Sequence, residues 1–99
     1  MSKFVQNEYF DVEVFRALSD ETRLEIVAIL GNKEMNVSDI AMKSSVSRPT
    51  ISHHLQILKR AGILMSRKEG KEIYYSVNLN KFTLIAQGIL NYVTFKSFE

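Results

Sequence analysis

Two adjacent histidines, His53 and His54, close the stretch SRPTISHHL, and imidazoles are common metal ligands and proton carriers. On a helix, neighbouring residues point about 100° apart, so this pair cannot chelate one ion in the way that histidines spaced by four can. Ser52 beside His53 has no nearby acidic residue to orient the imidazole, and a convex helix has no pocket that excludes water. The stretch therefore favours surface recognition over metal binding or catalysis.

Cysteine is absent from the 99 residues, which excludes disulfides, thiolate metal sites and thiol catalysis together. Paired carboxylates, a nucleophile elbow and a phosphate-binding loop are also missing, so we expect no enzymatic activity and no cofactor. The stretch MSKFVQNEYF lacks the apolar segment of a secretory signal, and the aliphatic run IVAIL at 26–30 is too short to cross a bilayer. These features predict one domain over residues 1–99, located in the cytoplasm without membrane insertion.

The spacing of apolar residues predicts a mainly α fold with a β-hairpin, in the order α-α-α-α-β-β-α. Aspartate, asparagine and serine stand where helix N-caps are needed, and Gly31 follows the second helix as a natural stop. The runs ILMSRK and EIYYSV alternate like strands around the turn EGK at 69–71. The expected helices cover residues 9–18, 21–30, about two turns after Asn36, Ser47 to about Gly62, and 81–95.

A short helix, a tight turn and a longer helix beginning SRPTIS form a helix-turn-helix pattern, and the basic hairpin after it makes a winged helix. The second helix of such a unit lies in a DNA major groove with its polar face toward the base edges. Arg48 is the main candidate for base reading, because a guanidinium pairs bidentately with guanine. Ser47 and Thr50 are alternatively only helix caps. The DNA-facing residues predicted here are Ser47, Arg48, Pro49, Thr50, Ser52, His53 and Gln56.

Positive charge is concentrated in the middle of the chain. Residues 43–71 carry seven basic side chains and one acidic side chain, whereas the rest has six basic and ten acidic side chains. This asymmetry favours an anionic partner such as double-stranded DNA, because long cations neutralise phosphates without reading bases. Alternatively, any of these cations is an ordinary solvated residue. The predicted phosphate contacts are Lys59, Arg60, Arg67, Lys68 and Lys71.

The aromatic residues are confined to the two ends of the sequence and are absent from residues 16–73. A chain of this length is near the lower limit of what one core stabilises, so large apolar side chains at both ends indicate packing between the termini or against a second subunit. We expect a homodimer formed by the terminal helices. The predicted interface residues are Phe4, Tyr9, Phe10, Phe82, Ile85, Ile89, Tyr92, Val93 and Phe95.

The stretches FRALSDETRLEIVAIL, VSDIA, SRPTISHHLQILKRAGIL and SRKEGKEIYYSV, between Phe15 and Val77, resemble the ArsR/SmtB family of bacterial winged-helix repressors. The resemblance implies a homodimer built from the first and last helices. It also implies that the dimer binds a DNA operator, blocks transcription and is released by a signal. An inverted-repeat operator would match the two-fold symmetry of such a dimer.

The sequence departs from the metal-responsive members of that family at both known kinds of metal site. Their third-helix motif contains cysteine, whereas this chain reads EMNVSDIA, with Asn36 and Ser38 at the matching positions. The terminal segment LNKFTLIAQGILNYV contains no Asp, Glu or His. The carboxylates of Glu8, Asp11 and Glu13 are more typical of a solvated face than of a hard-ion site shared across a dimer. The resemblance therefore favours the members that act without metal, with a protein or a small molecule as the inducer.

The main alternative from another class is a winged helix used as a protein-interaction module, with its basic face bound to an acidic protein. Failure to bind DNA at low salt in a mobility-shift assay would favour that alternative.

Overall fold

The computed structural model describes residues 11–97, which form five helices and three strands. The predicted order of the helices and the hairpin is confirmed, and a short additional strand precedes the third helix. Within the described range, no helix is long and apolar enough to cross a membrane. The elements are α1 (Val12–Leu18), α2 (Glu21–Leu30), β1 (Met35–Asn36), α3 (Val37–Lys43), α4 (Arg48–Arg60), β2 (Leu64–Glu69), β3 (Glu72–Val77) and α5 (Leu79–Ser97).

The first two helices each begin at an aspartate cap. Asp11 and Asp20 have extended backbones, and their carboxylates accept from the backbone N–H of Glu13 at 2.9 Å and of Arg23 at 3.0 Å. Each bond satisfies a donor that the first turn of a helix leaves without an intrahelical partner. Because Asp11 is the cap, α1 begins at Val12, and the sequence-based prediction of a start at residue 9 was wrong.

The helix-turn-helix unit consists of α3 and α4. The Asn36 side chain accepts from the backbone N–H of Asp39 at 2.9 Å, and Ser47 caps α4 through the backbone N–H of Thr50 at 3.5 Å. Pro49 lies in the first turn of α4, where its missing N–H costs no helical hydrogen bond. The predicted caps of both helices are thereby confirmed.

Helix α4 ends in a Schellman motif at Gly62. The Gly62 N–H donates to the Lys59 carbonyl and the Ile63 N–H donates to the Leu58 carbonyl, both at 3.0 Å. Gly62 has φ of 80°, a left-handed conformation that favours glycine. The motif turns the chain sharply from α4 into β2.

The wing is an antiparallel sheet with strand order β1-β3-β2. The hairpin turn contains two residues, Gly70 and Lys71, rather than the three predicted, because Glu69 still pairs with Glu72. Strand β1 was missed from the sequence, since two residues are too short to give a periodic pattern. Its Asn36 pairs with Tyr74 of β3 and is also the cap of α3.

Asn78 anchors the start of α5 to the end of α4. Its side-chain amide donates to the Gly62 carbonyl at 3.3 Å, its backbone N–H donates to the Ile63 carbonyl at 2.8 Å, and its Oδ1 accepts from the Lys81 N–H at 3.2 Å. This cap places the start of α5 at Leu79, and the helix continues to Ser97, beyond both predicted ends.

The core lies between α1, α2, α3, α4 and the inner face of the sheet, and α5 contributes one buried large side chain, Ile85. Beyond its first two turns, α5 exposes apolar side chains. The buried residues are Val14, Ala17, Ile26, Leu30, Met35, Ile40, Ile51, Leu55, Leu58, Ile63, Leu64, Tyr75, Val77 and Ile85.

Candidate nucleic-acid interface

Helix α4 has one buried face and one exposed polar face. Ile51, Leu55 and Leu58 are fully buried, which holds the helix against the core. The side chains expected to face DNA lie on the other sides of the helix, and the predicted division of its faces is confirmed. Of these, Ser47, Arg48, Pro49, Thr50, His53 and Gln56 are exposed and Ser52 is half-buried.

The N-terminal turn of α4 presents hydroxyl groups and a guanidinium together. The hydroxyls of Ser47 and Thr50 lie 3.0 Å apart in a hydrogen bond, and both residues are exposed. Arg48, which lies between them in the sequence, is also exposed. A hydroxyl that caps a helix still has lone pairs and a proton for a phosphate, so capping and phosphate contact are compatible at this turn.

Gln56 lies at the junction between α4 and the wing. Its side-chain amide donates to the Tyr75 hydroxyl at 3.4 Å, and the Tyr75 ring is buried. The bond ties α4 to the face of β3 that packs on the core. One of the two amide N–H groups of Gln56 is engaged in this bond, and the second N–H and the carbonyl oxygen are the groups that could contact a base.

All five predicted phosphate-contacting cations are exposed: Lys59, Arg60, Arg67, Lys68 and Lys71. Lys68 is paired with Ile73 and lies on the same face of the hairpin as Tyr75, because side chains alternate along a strand. That face is the one next to α4.

Arg67, the fifth predicted cation, lies on the opposite face of the hairpin and is engaged by two carboxylates. Its Nε donates to the two oxygens of Glu34 at 2.8 and 2.9 Å, and its Nη1 donates to Glu69 at 2.7 Å. These bonds, with the Glu34 bond the larger cause, raise the pKa of Arg67 above its ordinary value. The guanidinium also lies 5.0 Å from the centre of the Tyr74 ring. No sequence pattern paired Arg67 with Glu34, which is 33 residues away.

His54 is half-buried on α4 and contacts residues at the start of α2. Its Nδ1 lies 3.1 Å from Nη1 of Arg23 and 4.0 Å from a carboxylate oxygen of Asp20. The backbone N–H of Arg23 lowers the pKa of the Asp20 carboxyl below its ordinary value of 3.8, with a smaller lowering effect from the charge of the Arg23 guanidinium. Sequence reasoning missed the contact between Arg23 and His54. Neighbouring His53 is exposed, and the two rings are 5.6 Å apart.

Comparison with known proteins agrees with this architecture. Residues 20–66 match the family described as bacterial regulatory protein, arsR family. The transcriptional repressor SdpR of Bacillus subtilis is 41% identical over 80 residues, which cover 81% of this chain and 84% of that repressor. The chain belongs to the arsR family.

Other arsR-related proteins extend the comparison. A CadC homolog of Staphylococcus aureus, a cadmium resistance transcriptional regulatory protein, is 46% identical over 74 residues, covering 74% of this chain and 61% of that relative. A homodimeric winged helix-turn-helix DNA-binding domain from Mycobacterium bovis, a possible ArsR-family regulator solved by NMR, matches with a TM-score of 0.68 and 30% identity. That match covers 89% of this chain and 81% of the other. The expected fold and the expectation of a regulator rather than an enzyme are confirmed.

In this arsR-family chain, the residues predicted for a subunit interface divide into four groups. Ile89 and Val93 are 37% and 54% exposed, whereas Ile85 packs in the core of its own subunit and Phe82 packs against that core. Tyr92 is half-buried. Phe4, Tyr9 and Phe10 lie outside the described residues, as does the side chain of Phe95.

The carboxylates near α1 lie among arginines. Asp11 and Glu13 line an open cleft together with Arg16, Arg23 and Arg60, and three guanidinium groups oppose the binding of a cation there. Among residues 11–97, no group of three or more His, Cys, Asp or Glu side chains is arranged to hold a metal ion. Glu8 lies outside the described residues.

Proposed function

We propose that this protein is a dimeric repressor that binds double-stranded DNA through α4 and the wing and responds to a signal other than metal. The observation that carries the proposal is the exposed polar face of α4, which begins with Ser47, Arg48 and Thr50 and is fixed by three fully buried residues on the other face. A rigid helix with such a face suits the major groove. Exposed Lys68 and Lys71 on the adjacent wing supply charge for the DNA backbone.

A second copy of the chain is the proposed occupant of the exposed face of α5. Leu84, Ile89 and Leu90 are 42%, 37% and 60% exposed on a helix that carries no acidic side chain between Leu79 and Ser97. Exposed apolar side chains concentrated on one helix favour association. The Mycobacterium bovis domain, which this chain resembles over most of its length, is homodimeric.

The proposed independence from metal follows from the ligands available. The chain has no thiolate, and its only two imidazoles are engaged with Arg23 or exposed on the α4 face. A zinc site needs about four donors at roughly 2.0 to 2.3 Å. Release is proposed to depend instead on a protein partner, a small organic molecule or the abundance of the protein itself.

Selection of bound duplexes from a random-sequence DNA pool tests DNA recognition and finds the preferred operator in the same experiment. We expect enrichment of an inverted repeat whose half-site centres lie about 10 base pairs apart or a multiple of that spacing. Enrichment of no sequence at low salt would contradict the proposal and favour a protein-interaction module.

Sedimentation analysis tests the dimer. The wild-type protein is expected to sediment as a dimer, and Leu90→Glu is expected to give a folded monomer because a carboxylate at the interface opposes association. Met42→Glu serves as a matched control, since it replaces an exposed apolar side chain with the same charge on α3, outside α5. A monomeric wild-type protein would contradict the proposed dimer.

Titration of the DNA complex with metals in chelator-treated buffer tests the nature of the signal. Cadmium is the most informative metal, because a relative of 46% identity is named for cadmium resistance. Zinc, cadmium and arsenite at micromolar levels are expected to leave the fluorescence anisotropy of labelled DNA unchanged. Release at one metal per subunit or per dimer would contradict the proposed independence from metal.

A further inference from the structure

The side chain of Arg23 joins three helices near the buried edge of α4. Its Nε donates to the Ala17 carbonyl at 2.6 Å and its Nη2 donates to the Arg16 carbonyl at 3.4 Å, at the end of α1. Its Nη1 lies 3.1 Å from Nδ1 of His54 on α4. Arg23 itself belongs to α2. One guanidinium thus sets the position of α4 relative to the end of α1.

The contact between Arg23 and His54 is a hydrogen bond only when Nδ1 of His54 carries no proton. Arginine carries five N–H donors and no acceptor, so a hydrogen bond between Arg23 and His54 requires a lone pair on Nδ1. Such a bond forms only with a neutral imidazole whose proton is on Nε2. Only 14% of the His54 side chain is exposed, so little water can reach Nδ1 to replace the hydrogen bond to Arg23 if that bond breaks.

Protonation of His54 would reverse the role of Nδ1 from acceptor to donor. The charged ring would then face the Arg23 cation, while the Asp20 carboxylate, 4.0 Å from Nδ1, would become the attractive partner. The charged and titratable groups that face His54 are Arg23 of α2, Asp20 at the N-cap of α2 and His53 on α4 itself. From α1, the carbonyls of Arg16 and Ala17 contact Arg23. An exchange of partner from Arg23 to Asp20 would move the ring away from the contact that holds α4.

We propose that Arg23 and His54 are positioning residues of the DNA-reading helix, and that sequence-specific binding requires His54 to be neutral. His54 adjoins His53 in sequence and is two residues from Ser52 and Gln56, which lie on or next to the exposed face of α4. A rotation of α4 about its axis would displace these side chains from their bases while leaving the wing cations, Lys68 and Lys71, in place. Acid would therefore reduce discrimination between DNA sequences more than it reduces non-specific binding. The inference rests on the proposed DNA-binding function.

The test compares two labelled duplexes, one selected by the His53→Asn protein at about pH 8 and one scrambled duplex of the same length. The ratio of their affinities is measured at about pH 8 and pH 6, a range in which histidine titrates. All variants carry His53→Asn, which leaves His54 as the one imidazole of the chain. In this background the affinity ratio is expected to fall roughly five- to tenfold on acidification, at the lower end of coupling between linked sites.

Two substitutions at His54 distinguish the effect of losing the hydrogen-bond acceptor at Nδ1 from the effect of losing the titratable imidazole. His54→Asn places an amide oxygen near the position of Nδ1, so this variant is expected to retain the affinity ratio and to lose its pH dependence. His54→Leu retains apolar packing but removes the acceptor, and is expected to lose the ratio about equally at both pH values. Circular dichroism and thermal unfolding verify that both variants are folded.

Nitrogen-15 NMR of the imidazole provides a measurement independent of DNA. Near pH 8 the wild-type His54 ring is expected as the Nε2–H tautomer with an unprotonated Nδ1, and Arg23→Lys is expected to shift the Nδ1 resonance. A pH-independent affinity ratio in the His53→Asn background, or an unchanged ratio in folded His54→Leu, would overturn the inference. Failure of the wild-type protein to select any duplex at pH 8 would instead overturn the proposed function.

Discussion

Two neighbouring cations on the wing are expected to differ in their effect on DNA binding, although the sequence predicted a phosphate contact for both. Arg67 and Lys68 are consecutive residues of β2, but their side chains lie on opposite faces of the hairpin. Arg67 is engaged by Glu34 and Glu69, whose two charges exceed its own, whereas Lys68 is exposed on the face next to α4. We predict that Lys68→Gln weakens binding to all DNA sequences, while Arg67→Gln has little effect.

The expected magnitude follows from the release of counterions. Each phosphate contact contributes roughly 0.9 to the slope of the logarithm of the association constant against the logarithm of salt concentration. Lys68→Gln should therefore lower the slope by roughly 0.9 per subunit, or about 1.8 for a dimer with two wings. At about 0.1 M salt, Lys68→Gln should lower the association constant roughly eightfold per subunit on any DNA sequence. Arg67→Gln should lower the slope by less than a third of that amount, because its charge is already neutralised within the protein.

Fluorescence anisotropy of a labelled duplex, titrated at several salt concentrations between about 0.05 and 0.3 M, measures both slopes. The comparison uses one selected duplex and one scrambled duplex, so that a loss of base reading is not mistaken for a loss of phosphate contact. An equal decrease in slope for Arg67→Gln and Lys68→Gln would refute the reasoning. That result would mean that DNA displaces Glu34 and Glu69 from Arg67.

Three further predictions concern α4 and its surroundings. Arg48→Ala should cost about 1–3 kcal/mol on a selected duplex and relax one base preference, as measured by anisotropy on single-base variants. Leu55→Ala should lower the free energy of unfolding by about 2–5 kcal/mol in urea denaturation, because the side chain is fully buried. Asp20 has a lowered pKa, so its ionised form stabilises the fold above the ordinary value of 3.8, and this stabilisation is lost as the pH falls through the lower pKa of the folded state. Asp20→Asn keeps the cap and should remove this acid-dependent part of the unfolding curve.

The sequence was sufficient for features that depend on neighbours in the chain. The caps at Asp20, Asn36 and Ser47, the stop at Gly31 and the buried face of α4 all follow from residues within about one helical turn of each other. The family resemblance followed from the same local patterns. The start of α1 was misplaced because an aspartate cap interrupts apolar spacing that continues on both sides of it.

Contacts between distant parts of the chain could not be predicted in the same way. Arg67 and Glu34 are 33 residues apart, and Arg23 and His54 are 31 residues apart. In both pairs a charged or polar residue had several equally plausible partners, and the choice depends on how the sheet and helices pack. These contacts changed the functional interpretation most, because one pairs the Arg67 cation with carboxylates of the protein and the other places His54 against Arg23.

The double use of Asn36 affects how this regulator can be recombined with its relatives. Asn36 is the last residue of β1, paired with the wing, and also the cap of α3, so no linker separates the sheet from the DNA-reading unit. A hairpin exchange with crossover points at residues 64 and 77 would replace β3 but keep β1, the strand that pairs with it in this sheet. In hybrid regulators, Met35 and Asn36 should therefore be transferred together with the hairpin, so that β1 and β3 come from the same protein.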